Sequence, residues 1–507
     1  MSINEAQGAI SEVELDKSLA RGIAWTGAVK WVGQIFHWAC MIIVARLLTP
    51  ADYGLVAMAT LFLGLVALIN ELGLGTAIVK HRELTADQIA QINAVAVALG
   101  VAGFVVSAIA AVPISLFFGS PELRWVVLMM SSSFLVSGFS TVPSSLLERD
   151  LDFRTLALVE GAQVFAQSFT VVVLALVGLT YWALVIGALF GSTVSTSLTM
   201  MARFHPFAWP RRRSLAETLT FSWHLLVARV SWYIQSNSDF LVAGWILGKA
   251  ALGSYTMGWT VATAPIEKVA AIVNRVSFPI LSARQNHPAL LRRQLLTLTE
   301  GLAALTFAAS IGLALIAEEF VLGVLGEKWI EAIGPLRLLA LLTVFRTVSP
   351  LVNQLLIMTG ESQFAMRLGL LGIVVPPLFY IGSYWGIIGI AAAWFFAYPV
   401  TTIPSYRRVF MKIGLTKREY CKALWPGLSS SLLMAICVLL TKQAIPEAWN
   451  PLARLAVEVL IGAAVYTAVL FLLHRERISV FYQLITAMRE SDFRPKAAAN
   501  VETASIR

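Results

Sequence analysis

Long apolar runs, separated by short breaks that carry charge, proline or glycine, make up almost the entire chain. Read as helices, they fall at 21–46, 54–79, 89–117, 125–146, 155–178, 181–202, 218–245, 252–277, 294–317, 334–359, 365–383, 386–405, 424–441 and 452–474. That is fourteen segments near the length of ~20 residues that carries an α-helix across a hydrocarbon core. Lipid offers backbone N–H and C=O groups no partner, so a spanning segment must satisfy its own, which a helix does. The expected fold class is an all-α polytopic membrane protein. Composition leaves little else: 58% of residues are hydrophobic and 13% charged, against about 45–50% and about 25% in soluble domains. Two runs are unusual, 125–146 for Ser131, Ser132, Ser133 and Pro143, and 252–277 for Glu267 and Lys268.

The net charge of +9 is informative through its placement. An even number of spans puts both termini on one side. With the termini inside, 27 of the 38 Lys and Arg residues fall in inner segments and seven in outer loops, as basic residues distribute in membrane proteins. The charge therefore reports orientation, and nucleic acid is a poor explanation of it. Arg211, Arg212 and Arg213, and the run from Arg407 to Lys422, are topology determinants placed where anionic lipid heads lie. Residues 1–20 carry Glu5, Glu12, Glu14 and Asp16 in place of the basic start of a secretory signal, and read as a cytosolic lead-in. Cys40, Cys421 and Cys437 have no CxxC pairing and no histidine at ligand spacing, so no disulfide framework, metal site or cofactor is expected.

Two stretches repeat. Leu47–Met58 aligns without gaps on Ile246–Met257 at an offset of 199, with Leu, Ala, Gly and Met coinciding. Tyr181-Trp182-Ala183-Leu184-Val185 resembles Tyr384-Trp385-Gly386-Ile387-Ile388. Both pairs lie six spans apart, which implies two six-helix halves in the same orientation, an arrangement used by transporters. The expected organisation is a cytosolic segment 1–20, an N-lobe 21–202, a basic linker 203–217, a C-lobe 218–411, two further helices over 412–474 and a polar tail 475–507.

Four basic residues fall inside spans: Lys30, Arg229, Lys268 and Arg346. Each would cost about 2.5–3.5 kcal/mol facing lipid at a helix centre, so they are expected to face partners or a wet cavity. The offset of 199 carries Lys30 onto Arg229. Helical spacing groups polar residues on one side of several spans. Gln34 and His37 share a face with Lys30, and Trp232 and Asp239 share one with Arg229. Glu160, Gln163 and Gln167 line up on the fifth span, and Asn353 follows Arg346 on the tenth. Such stripes imply an aqueous vestibule. Equally, Lys30 with Glu160, and Arg229 or Lys268 with Asp239 or Glu267, can be packing ion pairs. His37 and His224 are expected to bond neighbouring helices more than to relay protons. Gly187-x-x-x-Gly191 and Gly244-x-x-x-Gly248 suit close helix packing, and Trp25, Trp125, Trp182, Trp209 and Trp385 suit interfacial anchoring.

The chain contains no nucleotide-binding or hydrolase fingerprint, and its longest outer loop, about Ala317 to Gly334, is short for an enzyme site. No catalytic residue is assigned. The segment Ala45–Met58 followed by Glu71-Leu72-Gly73-Leu74-Gly75 resembles the opening signature of bacterial polysaccharide transporters. Tyr255–Trp259, Pro265–Val269 and Phe278–Ser282 are similar to the second-half pattern of that family, and Tyr181–Leu184 to its sixth-helix entry. These proteins are flippases for lipid-linked oligosaccharides within the multidrug/oligosaccharidyl-lipid/polysaccharide exporter superfamily, and the likeness runs from about residue 18 to 480.

The resemblance implies a V-shaped two-lobed bundle in the bacterial inner membrane that moves an undecaprenyl-pyrophosphate-linked glycan between leaflets. On that reading Lys30, Arg229 and Arg346 clamp the phosphates and Lys268 assists. Gln34, His37, Gln163, Gln167, Asn353 and Trp232 contact sugar, and Glu160, Asp239 and Glu267 balance charge or couple to an ion. The implied partners are the lipid-linked glycan, the bilayer and glycan-assembly machinery; proton and sodium coupling both stay open. A cation-coupled multidrug or metabolite exporter shares this plan but calls for an acidic cavity, whereas the charges inside these spans are mostly basic. A non-transporting scaffold would not need them.

Overall fold

The computed structural model describes residues 32–71, 74–80, 83–209, 229–282, 287–361, 364, 367–369, 372–446 and 448–474, with backbone alone at 71, 76, 265–280, 282 and 373. The segment 1–20, Lys30, Arg211, Arg212, Arg213, His224 and the tail 475–507 lie outside the described residues, as do the side chains of Glu267 and Lys268.

Among the described residues every element is helical. The first half runs α1 (Val32–Leu47), α2 (Pro50–Glu71), α3 (Leu74–Lys80), α4 (Ala86–Phe117), α5 (Leu123–Arg149), α6 (Phe153–Leu176) and α7 (Thr180–Ala202). Next comes α8 (229–242), which runs through a π turn at Ala243–Leu247 into α9 (Gly248–Ser282). Then follow α10 (Pro288–Leu315), α11 (Ala317–Phe320), a 3-10 turn at Glu327–Ala332, α12 (Ile333–Arg346) and α13 (Ser349–Met358). The chain continues with α14 (Val375–Gly382), α15 (Gly386–Ile413), α16 (Lys417–Ala444) and α17 (Pro451–Leu473). Among the described residues ten helical stretches are long and apolar enough to cross a membrane, and α1 is a shorter apolar helix. Helix lies in the described part of each of the fourteen ranges expected from the sequence.

Local chemistry explains the boundaries. At the start of α2 the Thr49 hydroxyl and amide both donate to Asp52, and Thr49 accepts from the Asp52 amide, 3.3 Å. Thr85 with Gln88 at α4, and Thr416 with Glu419 at α16, form reciprocal capping boxes, worth about 1 kcal/mol each. The α15–α16 turn closes on Gly414 at φ +64°, a conformation that favours glycine. The serine-rich α5 is an unbroken helix of 27 residues. Its hydroxyls at Ser131, Ser132, Ser137, Ser140, Thr141 and Ser145 each donate to a carbonyl three or four residues back. Satisfied that way, they need no water. On α4 the side chains Val101, Val105, Ile109, Val112 and Leu116 are all exposed. An apolar face at helical spacing and without protein cover is what lipid requires.

Contacts divide the chain into two compact units. The first comprises 1–257, 325–331 and 369–393, the second 258–324, 332–368 and 394–507. In the first, Leu74, Ile78, Ile92, Val142 and Leu146 form one core patch, and Val44, Leu48, Val171 and Ala183 another. In the second, the core joins α10, α13, α15 and α16 through Leu295, Leu302, Leu351, Val352, Val409 and Tyr420.

Two features of the first unit concern helix ends. Trp329, fully buried, donates its indole N–H to the Ala45 carbonyl at 2.8 Å, and Lys328 Nζ donates to the carbonyls of Leu47 and Leu48 at 3.1 and 3.2 Å. The last carbonyls of α1 are orphaned by helix geometry, and a segment some 280 residues later in the chain supplies their donors and a cation for the negative helix end. Tyr53 packs edge-on against Trp329 at 5.2 Å.

In the second unit, Glu361 accepts from Arg408 and Lys412 of α15, at 3.1 and 3.2 Å. The hydrogen bond from Arg408, opposed by partial desolvation and assisted by Lys412, holds the Glu361 carboxyl below the usual carboxylate range. A carboxyl depressed in the folded state adds stability above its unfolded value, about 4.3, and loses it as pH falls through the folded value. The turn at Thr359–Glu361 is therefore expected to stay closed on α15 at neutral pH and to open as acidification carries the pH down through that lowered value. Hydrogen exchange of peptides covering 359–361 checks this: Glu361→Gln should exchange fast at neutral pH and show no acid step. Equal exchange in the two proteins at every pH would count against it.

Candidate functional site

The intramembrane polar residues fall into two groups, one in each unit. In the first unit α1 packs on α6. Phe36 and Phe165 meet with ring centres 4.6 Å apart and planes tilted by 31°, and His37 Nδ1 pairs with Ser168 Oγ at 3.0 Å. His37 thus bonds a neighbouring helix. On α6, Gln163 and Gln167 are half-buried and Glu160 is exposed; Gln34, on α1, is half-buried. A Cβ added at Gly191 would lie 3.2 Å from the Gln163 carbonyl and 2.8 Å from Gln167 Cβ, and one at Gly187 would strike Val171 at 2.3 Å. The Gly187-x-x-x-Gly191 pair lets α7 lie against the same helix that carries the glutamines. Gly244 has Phe118 at 2.9 Å on the same criterion.

On α8, Arg229 is half-buried and Trp232 is exposed. Asp239, fully buried, accepts the hydroxyl of Tyr255 at 2.7 Å. Tyr255 lies on α9, one of the residues the family pattern contains, but nothing in the spacing of the sequence pairs it with Asp239.

The same region holds the crossing of the two repeated segments. A Cβ at Gly54 would fall 1.7 Å from the Lys249 carbonyl oxygen, and one at Gly253 1.8 Å from that of Pro50. Adding 199 to 50 and 54 gives 249 and 253, so the contact is reciprocal under the sequence repeat, as across a two-fold axis. The backbones of α2 and α9 touch here with no side chain between them.

The second group centres on Arg346, where a proline breaks the helix. Pro350 lacks an N–H, and its ring clashes with the carbonyl four residues back, that of Arg346; α12 accordingly stops at Arg346 and α13 restarts at Ser349. Hydroxyls gather around the break. Thr347 donates to the Thr343 carbonyl at 2.7 Å, and Ser349 and Tyr398 both donate to that of Phe345, at 3.3 and 3.4 Å. Tyr398 also bonds Ser349, which meets Tyr406 at 3.2 Å, and Tyr420 donates to Tyr406 at 3.4 Å.

The Arg346 guanidinium carbon lies 4.6 Å from the Trp259 ring centre and 5.8 Å from that of Trp394, and the two indoles are 5.8 Å apart. One guanidinium nitrogen, Nη1, is buried without a hydrogen-bond partner. Arginine keeps its charge in such surroundings, and a desolvated cation over indole gains roughly 2 kcal/mol. What results is a fixed, positively charged fork with donor capacity to spare, which suits phosphate or carboxylate oxygens. Asn353, two turns further along, is exposed. Among the described residues no group of three His, Cys, Asp or Glu side chains could hold a metal ion.

Among the described residues the chain is an all-helical integral membrane protein with an arginine over two indoles at a helix break. It superposes on lipid II flippase MurJ in its inward closed conformation with a TM-score of 0.75, covering 89% of this chain and 99% of that one at 15% identity. The chain belongs to the polysaccharide biosynthesis protein family, whose model matches residues 43–334. The succinoglycan biosynthesis transport protein ExoT of Rhizobium meliloti (strain 1021) is 25% identical over 497 residues, 95% of this chain and 97% of ExoT. The lipopolysaccharide biosynthesis protein WzxC of Escherichia coli (strain K12) is 23% identical over 395 residues, 76% of this chain and 80% of WzxC.

Proposed function

We propose that the protein is a flippase that carries an undecaprenyl-pyrophosphate-linked oligosaccharide repeat unit from the inner to the outer leaflet of the bacterial inner membrane. It acts by alternating access and serves exopolysaccharide, capsule or O-antigen assembly. The observation that carries this reading is Arg346, a cation inside a span that lies over two indoles and has a buried guanidinium nitrogen without a hydrogen-bond partner. A pyrophosphate-linked sugar cannot cross hydrocarbon with its charge exposed, and cations inside the spans lower that barrier. Family membership, and relatives named for the transport and biosynthesis of polysaccharides, support the cargo class.

In this reading Lys30, Arg229 and Arg346 hold the phosphates and Lys268 assists. Gln34, His37, Gln163, Gln167, Asn353 and Trp232 meet sugar, and Glu160, Asp239 and Glu267 balance the charge when no cargo is bound. Fourteen spans form two six-helix halves, 21–202 and 218–411, joined by the linker 203–217 and followed by two further helices, with both termini in the cytoplasm.

Deleting the gene is expected to leave lipid-linked repeat units accumulating on the cytoplasmic face, and the wild-type gene to clear them. A Lys30→Ala, Arg229→Ala double variant should fail to clear them at normal protein abundance. Normal export by that variant would remove both residues from the phosphate site.

A further inference from the structure

The two helices beyond the proposed halves hold a buried ionic cluster that the transport reading does not use. Lys442, near the end of α16, donates to Glu319 Oε2 and to the Leu315 carbonyl, both at 2.6 Å. Arg454 on α17 approaches Glu319 Oε1 at 3.4 Å. Both cations are therefore turned towards one carboxylate, and Lys442 also caps the last residue of α10. Glu458, on α17, is fully buried, and neither of its carboxylate oxygens has a hydrogen-bond partner. Among the described residues the charge paired with it is Lys442 Nζ, at 3.8 Å. Glu318, next to Glu319 in the chain, pairs with Arg337 of α12 at 2.7 Å, and both are exposed.

Glu458 lies seven residues into α17, about 10 Å along the axis, and one turn further Gly462 packs on Val438 and Met434 of α16. A carboxylate that deep in an apolar seam is penalised by burial, and each unmade hydrogen bond adds to the penalty. Against this stands the charge balance. With Glu319 ionised, Lys442 and Arg454 leave one positive charge in excess, which an ionised Glu458 cancels through space. Neither form of Glu458 is fixed by a committed hydrogen bond.

We propose that Glu458 is a proton-binding site. The proton comes from water onto a Glu458 oxygen, and returns to water; Glu319 keeps its contacts with Lys442 and Arg454. The four side chains carry no net charge when Glu458 is ionised and one positive charge when it is protonated. Lys442 and Arg454, each partly exposed, mark the side from which water reaches the cluster.

Infrared difference spectra of the whole protein in proteoliposomes, stepped from mildly acidic to mildly alkaline pH, test this through the C=O stretch of a protonated carboxyl. A band is expected that fades as pH rises and is absent from Glu458→Gln. In Lys442→Gln, which removes the cation nearest Glu458, the band should persist to higher pH. A further variant, Glu319→Gln, frees Lys442 for Glu458, and there the band should fade at lower pH. The proposal is overturned if wild type and Glu458→Gln give the same spectra, if the Glu458 band does not change over this range, or if its titration is the same in both partner variants as in wild type. The readout needs no cargo, so it stands or falls separately from the flippase reading.

Discussion

An alanine at Gly54 or at Gly253 is expected to abolish function in a complementation assay and to lower the melting temperature of the purified protein. The added Cβ would sit 1.7 Å from the Lys249 carbonyl oxygen in one case and 1.8 Å from that of Pro50 in the other. Both obstacles are backbone atoms in helix first turns, so neither can rotate aside. The two helices have to part by more than an ångström. Overpacking a tight site costs about 1–3 kcal/mol and occasionally more, and a clash against backbone belongs at the upper end. Because the contact is reciprocal, the two single variants should fail to a similar degree. Gly369→Ala is the control, since its Cβ would meet nothing within 4 Å. Wild-type melting and export in either of the first two variants would mean that the helices cross more loosely than described.

Arg346→Gln is expected to weaken binding of a pyrophosphate-linked glycan by roughly 10- to 100-fold. A hydrogen bond to a charged group contributes about 1.5–3 kcal/mol, and each 1.4 kcal/mol is about tenfold in affinity. Arg346→Lys should recover only part of the loss, because lysine keeps the charge but lacks the planar fork and stacks less well on indole. Trp259→Leu, which leaves the cation in place without its nearer ring, should lie between wild type and Arg346→Gln. Binding to protein in nanodiscs, alongside export at matched abundance, gives the measurement. If Arg346→Gln binds as wild type does, the stacked arginine has no part in holding the cargo.

Much of the fold was legible because the bilayer leaves so few choices. Even the polar α5 is a single helix, since serine and threonine hydroxyls bond to their own helix and cost little in lipid. Legibility ended where partners come from distant segments. Spacing along one helix finds Asp239, but not the Tyr255 hydroxyl that meets it. It finds Arg346 as a charge in a span, but not Trp394, which lies 48 residues later in the sequence. Glu458 sits within an expected span and escaped notice for the same reason. Its neighbours Glu319 and Lys442 fall in stretches read as loops, and their approach becomes visible only once α10, α16 and α17 are packed together. The reciprocal contact of Gly54 and Gly253 shows the opposite case. The repeat already pairs the two glycines at an offset of 199, although it gives no sign that the paired segments touch.

The segment containing Lys328 and Trp329 has a practical consequence for anyone mapping which side of the membrane each loop occupies. On a topology diagram 326–332 looks like the natural place for a reporter fusion or a protease site. In the folded chain it closes the end of α1, with Trp329 fully buried, so an insertion there would report on a damaged protein. The turn at Gly178, where a Cβ would face open space, is the safer place for a tag.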